Sequence, residues 1–156
     1  MAKVHPIPKG FTAVTPHLNV KGASKAIDFY KTAFGAEEIS RMPAPNNPAT
    51  LMHAEIRIGG APIMLVDSSE QWGNKDPEML GGTPVAVHLY VKDCDAAYKK
   101  AVTAGCKSRM EPADMFWGDR FAALTDPFGH QWTIATHIAD PTPAEMQAAA
   151  KKMFGG

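Results

Sequence analysis

Cysteine is scarce, with two residues in 156, Cys94 and Cys106. They fall at opposite ends of one predicted helix. A rise of about 1.5 Å per residue holds them beyond disulfide reach. A disulfide framework is excluded, and free thiols in a reducing compartment are expected. Cys94 has two readings: a small residue packed at a helix start, or a thiol whose pKa is lowered there. An excess of either charge is also missing, because 16 Lys and Arg balance 16 Asp and Glu. Without a basic run or stripe, neither nucleic acid nor an anionic membrane is indicated as a partner. No apolar stretch approaches a membrane span, and the N-terminal segment 1–6 has no signal-peptide core. A soluble cytoplasmic protein is the expectation. No HExxH, CxxC, acidic calcium loop, GxSxG, P-loop or GxGxxG pattern is present, so nucleophilic hydrolysis and nucleotide binding have no local support.

What the chain does have is a near-repetition. His17-Leu18-Asn19-Val20-Lys21-Gly22 returns as His88-Leu89-Tyr90-Val91-Lys92-Asp93. Each copy leads into an apolar-periodic helix, over 23–34 and 94–104. Gly35 and Gly105 supply the stops, and Asp93 caps the second helix. A strand is expected over 13–20, with Val14, Leu18 and Val20 on one face and Thr15, His17 and Asn19 on the other. The first helix should bury Ala26, Ile27, Tyr30 and Phe34. A short strand over 37–41 precedes a Pro- and Asn-rich loop over 42–49. The run 51–58 alternates: Met52, Ala54, Ile56 and Ile58 face one way, and His53, Glu55 and Arg57 the other. Gly59-Gly60 turns it back into a strand over 62–66.

The second half repeats this plan with strands over 85–91, 120–125 and 131–136 and a loop over 110–117. The turn Asp126-Pro127-Phe128-Gly129 suits a tight reversal, and His130 beside it reads as a surface residue. Setting Gly60 against Gly129 aligns Met64 with Thr133. The predicted fold class is α+β, two tandem βαβββ modules at about 11–67 and 84–137. They are joined by a linker at about 68–83 and followed by a C-terminal helix at about 142–154. That helix opens with the capping box Thr142-Pro143-Ala144-Glu145. Its apolar stripe of Met146, Ala149, Ala150, Met153 and Phe154 has its own sheet or a partner subunit to cover.

Modules of this kind cover one sheet face with the helix and leave the other concave. Paired modules then suggest a ligand cleft between them. The expected ligand-binding residues are His17, His53, Glu55, Arg57, Trp72, His88, Tyr90 and Trp117, with Met64, Ala86, Thr133 and His137 nearby. Such a set suits a polar small molecule. The bland alternative for His53, Glu55 and Arg57 is a solvated sheet face. His17, Glu55 and His88 form a weak alternative metal set, for a divalent ion such as Zn, Ni, Fe or Mn. Glu55 is the weak candidate for moving a proton.

The segments 17–38, 116–120 (Phe-Trp-Gly-Asp-Arg) and 126–137 resemble the glyoxalase/bleomycin resistance protein/dioxygenase superfamily, the vicinal oxygen chelate fold, and its PhnB-like branch in particular. The resemblance covers about residues 11–146. It implies paired βαβββ modules, commonly in a homodimer. It also implies metal ligands on the first and last strands of each module. In this chain those positions are Thr15, Met64, Ala86 and Thr133, and none is a His, Glu or Gln. A metal-free small-molecule-binding protein is therefore expected, with no cofactor. The alternative is a metal-dependent lyase, isomerase or dioxygenase. The fold alone does not decide between them, because it hosts many chemistries.

Overall fold

The computed structural model describes residues 4–155, so the first three residues of the N-terminal lead-in lie outside the described part. Each half of the chain folds as strand, helix and three further strands. Module one is β1 (His17–Val20), α1 (Ala23–Phe34), β2 (Glu37–Ala44), β3 (Asn47–Ile58) and β4 (Ala61–Asp67). A connecting segment contains the short α2 (Pro77–Leu80). Module two is β5 (Ala86–Tyr90), α3 (Cys94–Ala104), β6 (Lys107–Asp114), β7 (Asp119–Thr125) and β8 (Gln131–His137), and α4 (Pro143–Phe154) follows it. The two four-stranded sheets have equivalent orders, β1-β4-β3-β2 and β5-β8-β7-β6. The fold is α+β, built from two tandem modules.

The repeat survives at the level of register. His17 pairs with Met64 across the parallel β1–β4 ladder, and His88 pairs with Thr133 across β5–β8. Both helices cover the apolar side of their own sheet. Ala26, Ile27 and Tyr30 of α1 are fully buried against Val20, Ala54, Ile56 and Leu65. Gly35 ends α1 with φ of 68°, a conformation glycine adopts without steric cost. Asp93 caps α3 by accepting from Ala96 N at 2.9 Å, and Thr142 and Glu145 form the anticipated reciprocal cap on α4.

The helices also join the modules. The α1 ring of Tyr30 lies 5.5 Å from Trp132 and 6.0 Å from Phe128, and Phe34 lies 4.4 Å from Trp132. Asp126, 4 % exposed, sits inside this cluster. Its Oδ2 accepts from Tyr30 Oη at 2.7 Å and from Trp132 Nε1 at 2.9 Å. Its Oδ1 accepts from Phe128 N and His130 N, both at 2.9 Å. His130 was anticipated at the surface. It is half-buried instead, because its Nε2 meets Asn19 O at 2.9 Å and bridges the modules.

Several strand limits differ from expectation. The segments anticipated as loops over 42–49 and 110–117 are largely strand, in the β2–β3 hairpin and in β6. Pro43 and Pro112 suggested loop, but β2 and β6 are sheet edges, where a missing N–H can face solvent without breaking the ladder. β1 begins four residues late, leaving Val14 85 % exposed and Thr15 outside the strand. On β3, Met52 points away from the core while Leu51 is 2 % exposed. The cause is a bulge. Met42 pairs with His53 but Pro43 pairs with Leu51, so Met52 is the extra residue and inverts the alternation.

Both thiols are buried. Burial pushes the Cys106 thiol up to about 12. Burial, with the Asp95 charge, also raises Cys94, whose Sγ approaches Ile134 O at 3.4 Å. This overturns the reading of Cys94 as an activated thiol. Neither cysteine should react with a thiol-specific disulfide reagent at pH 8 in the native state, and both should react in denaturant. A rapidly labelled native thiol would contradict the burial.

The Asp126 cluster gives a stability prediction. Tyr30→Phe removes one hydrogen bond to a buried carboxylate and should cost about 1.5–3 kcal/mol in urea unfolding. Asp126→Asn should cost more, because an amide cannot accept from both sets of donors. A change within error for either variant would remove Asp126 from its structural role.

Candidate functional site

The faces turned away from the helices carry the polar candidates. On module one, β1, β3 and β4 bring His17, His53, Glu55 and Met64 together. The His17 and His53 rings meet edge to face at 6.1 Å, and His53 Nε2 is 3.4 Å from Glu55 Oε1. Although His17 is largely exposed, partial desolvation by its neighbours lowers its pKa, and the adjacent His53 lowers it further. Arg57 lies at one end of this face, beneath the lead-in. A Cβ on Gly10 would fall 2.3 Å from its guanidinium, and its Nη1 reaches Gly60 O at 3.4 Å.

The corresponding face of module two is aromatic. His88 Nδ1 is 2.7 Å from Thr133 Oγ1. Its ring meets Tyr90 edge to face at 4.6 Å and stacks over Phe121 at 6.2 Å. Trp117 meets Phe121 at 5.7 Å. Asp119, 5 % exposed, organises this wall from behind. Its Oδ2 accepts from Tyr90 Oη at 3.1 Å and Trp117 Nε1 at 3.2 Å, and its Oδ1 pairs with His137 Nδ1 at 2.9 Å. The other ring nitrogen of His137 meets Asp140 at 2.9 Å. Burial opposes the Asp119 charge, but hydrogen bonds from His137, Tyr90 and Trp117 outweigh it and lower its pKa. The two carboxylates, Asp140 foremost, raise that of His137.

Phe121 and Asp119 were not anticipated. Both belong to β7, whose alternation places Asp119, Phe121 and Ala123 on one face and the buried Ala122 and Leu124 on the other. The period of two was visible in the sequence for Phe121. The convergence of three partners on Asp119 was not, since it depends on which strands are neighbours.

The modules meet through their helices and the Asp126 cluster, and among the described residues no strand of one sheet packs substantially on a strand of the other. His17 and His88 are exposed, and Tyr90 is 61 % exposed. Both walls are therefore open to solvent in the single chain. Trp72 is 68 % exposed beside a hollow near the β2–β3 hairpin, which adjoins the module-one wall through Val66.

The four positions that the family resemblance marks for a metal do not suit one. Thr15 lies outside β1 with its hydroxyl turned to Thr12 O, Met64 offers a thioether, and Ala86 has no donor. The Thr133 hydroxyl is engaged by His88. Among the described residues, no three His, Cys, Asp or Glu side chains converge on a point where a cation could sit. His17, Glu55 and His88 are accordingly not assembled into one site by a single chain.

Paired βαβββ sheets with open concave faces define a glyoxalase-type fold, and comparison with known proteins gives the same result. The chain belongs to the Glyoxalase/Bleomycin resistance protein/Dioxygenase superfamily, whose model matches residues 11–134. It is 42 % identical over 147 residues to the uncharacterised protein Rv0887c of Mycobacterium tuberculosis, covering 92 % of this chain and 85 % of that one. Among solved structures it resembles TioX from Micromonospora sp. ML1, with 22 % identity and a TM-score of 0.64 over 81 % of this chain and 99 % of that one. A PhnB protein from Bacillus cereus aligns with 18 % identity and a TM-score of 0.62, over 80 % and 99 %. Among the described residues, no helix is long and apolar enough to cross a membrane.

The Asp119–His137–Asp140 chain gives a signed pH dependence. The raised His137 pKa contributes stability that is complete below its unfolded value of about 6.5 and is lost as pH rises through the folded value. The lowered Asp119 pKa contributes stability that is complete above its unfolded value of about 3.9 and is lost as pH falls further. The advantage of the wild type over His137→Gln in melting temperature should therefore be largest near pH 5–6 and shrink toward pH 9. A gap that is constant or grows with pH would contradict the arrangement.

Proposed function

We propose that this chain is a metal-free small-molecule-binding protein. Its ligand site is the pair of concave faces, brought together when two copies form a homodimer. The carrying observation is the donor set: the four inherited ligand positions hold Thr, Met, Ala and Thr, and the one well-placed hydroxyl, on Thr133, is already engaged by His88. What remains on the concave faces is suited to binding. One wall presents His17, His53 and Glu55, with hydrogen-bonding edges. The other presents His88, Tyr90, Phe121 and Trp117, whose ring faces stack on a flat ligand. Each wall is open in the single chain, and a second copy provides the missing one twice over under twofold symmetry. A compact aromatic or heteroaromatic molecule with polar substituents matches both walls.

Metal analysis of protein purified without chelator tests this, together with light scattering. The expected results are metal well below one ion per chain and a mass about twice the 16.8 kDa of one chain. Stoichiometric metal that disappears in His17→Ala or His88→Ala would overturn the metal-free reading. A monomer at working concentration would overturn the shared site.

A further inference from the structure

The hollow beside Trp72 has the composition of a second binding site, complete within module one and its connecting segment. It encloses about 520 Å³ between the β2–β3 hairpin and the segment after β4, within the range of small-molecule pockets. Its floor is apolar, from Leu51, Met52 and Val66. Its rim is rich in neutral amides: Asn46, Gln71 and Asn74, whose side chains make no hydrogen bond among the described residues. Trp72 stands on the rim at 68 % exposure. It is carried by a tight turn in which Ser69 and Asn74 exchange backbone hydrogen bonds at 2.8 and 3.0 Å. The β3 bulge that turns Met52 outward builds the floor.

Charge decides the ligand class. Among the described residues, Asp67 is the only charged one lining the hollow, and both of its oxygens accept backbone hydrogen bonds. Oδ1 accepts from Gly22 N and Ala23 N at 2.8 and 2.9 Å, and Oδ2 accepts from Leu51 N at 2.7 Å. No cationic side chain lines the hollow to pair with an anion, and its one carboxylate is directed at backbone N–H groups rather than at a ligand. Three unpaired amides each offer donors and an acceptor, which matches hydroxyl groups that act as both. An exposed indole offers a flat apolar face for stacking. A ligand with one apolar C–H face and a hydroxyl edge meets all three conditions.

We propose that this hollow binds a neutral carbohydrate, one or two pyranose rings in size, with a sugar face on Trp72 and hydroxyls on Asn46, Gln71 and Asn74. The hollow adjoins the module-one wall, since Val66 follows Met64 on the same face of β4, but its polar groups are its own and the assignment does not depend on the function proposed above.

The test uses the full chain and a panel of methyl glucoside, methyl galactoside, methyl mannoside, N-acetylglucosamine, maltose and lactose. Glucuronate and glucose 6-phosphate serve as charged comparators. Calorimetry and tryptophan emission are the readouts. At least one neutral sugar should bind saturably with a millimolar or tighter Kd. Trp72→Ala should weaken it about tenfold, the loss of one stacking contact, and Trp72→Phe should retain most of the affinity. Trp72 is exposed, so circular dichroism should show both variants folded. Absence of binding across the neutral panel, equal or tighter binding of the charged sugars, or wild-type affinity in Trp72→Ala would overturn the assignment. So would a change in oligomeric mass in Trp72→Ala, which would assign the hollow to a second copy instead.

Discussion

One buried carboxylate holds the two halves of this protein in register. Asp126 collects two side-chain donors, one from each module, and two backbone donors from its own turn. A carboxylate inside an aromatic cluster is costly unless its lone pairs are used. Here four donors use them, and among the described residues no buried side-chain nitrogen or oxygen lacks a partner. The geometry follows from this one requirement. Tyr30 must lie over the β7–β8 turn, so α1 must run beside module two. The sheets are then carried with their helix-free faces open.

A second carboxylate plays a related part at the open face. Asp119 holds Tyr90, Trp117 and His137 at once, so the aromatic wall of module two is braced from behind. Gly118, immediately before it, has no room for a side chain: a Cβ there would fall 2.1 Å from Ala139 O. That close approach lets Ile138 N and Ala139 N both reach Gly118 O, at 2.8 and 3.0 Å, and anchors the segment leading to α4. Phe154 of α4 meets Phe116 at 6.4 Å, the outermost member of the same run of rings. The Trp-Gly-Asp stretch is thus explained by packing and hydrogen bonding before any ligand is considered.

Much of the fold was legible in the chain because repetition and period are local properties. The doubled His-Leu-x-Val-Lys motif placed β1 and β5, the glycines placed the helix ends, and the capping box placed α4. Aligning Gly60 with Gly129 anticipated that Met64 and Thr133 occupy equivalent places. What could not be read was nonlocal. Proline argued for loops where an edge position makes it harmless, and a bulge at Met52 exchanged the faces of part of β3. The candidate site was legible only in part. His17, His53 and Glu55 lie together as their alternation suggested. Asp119 acquires its role only when β5, β7 and β8 become neighbours. The relation between the two walls depends on how helices pack, which no strand pattern encodes.

The shared register of the two halves carries a consequence for specificity. His17 beside Met64 and His88 beside Thr133 occupy matching points of one duplicated plan, yet their surroundings have diverged. One half has drifted toward imidazole and carboxylate, the other toward stacked rings. A hollow with identical sides would accept a molecule in either of two orientations. Divergence of the copies removes that degeneracy, so a ligand held across them enters with a defined head and tail.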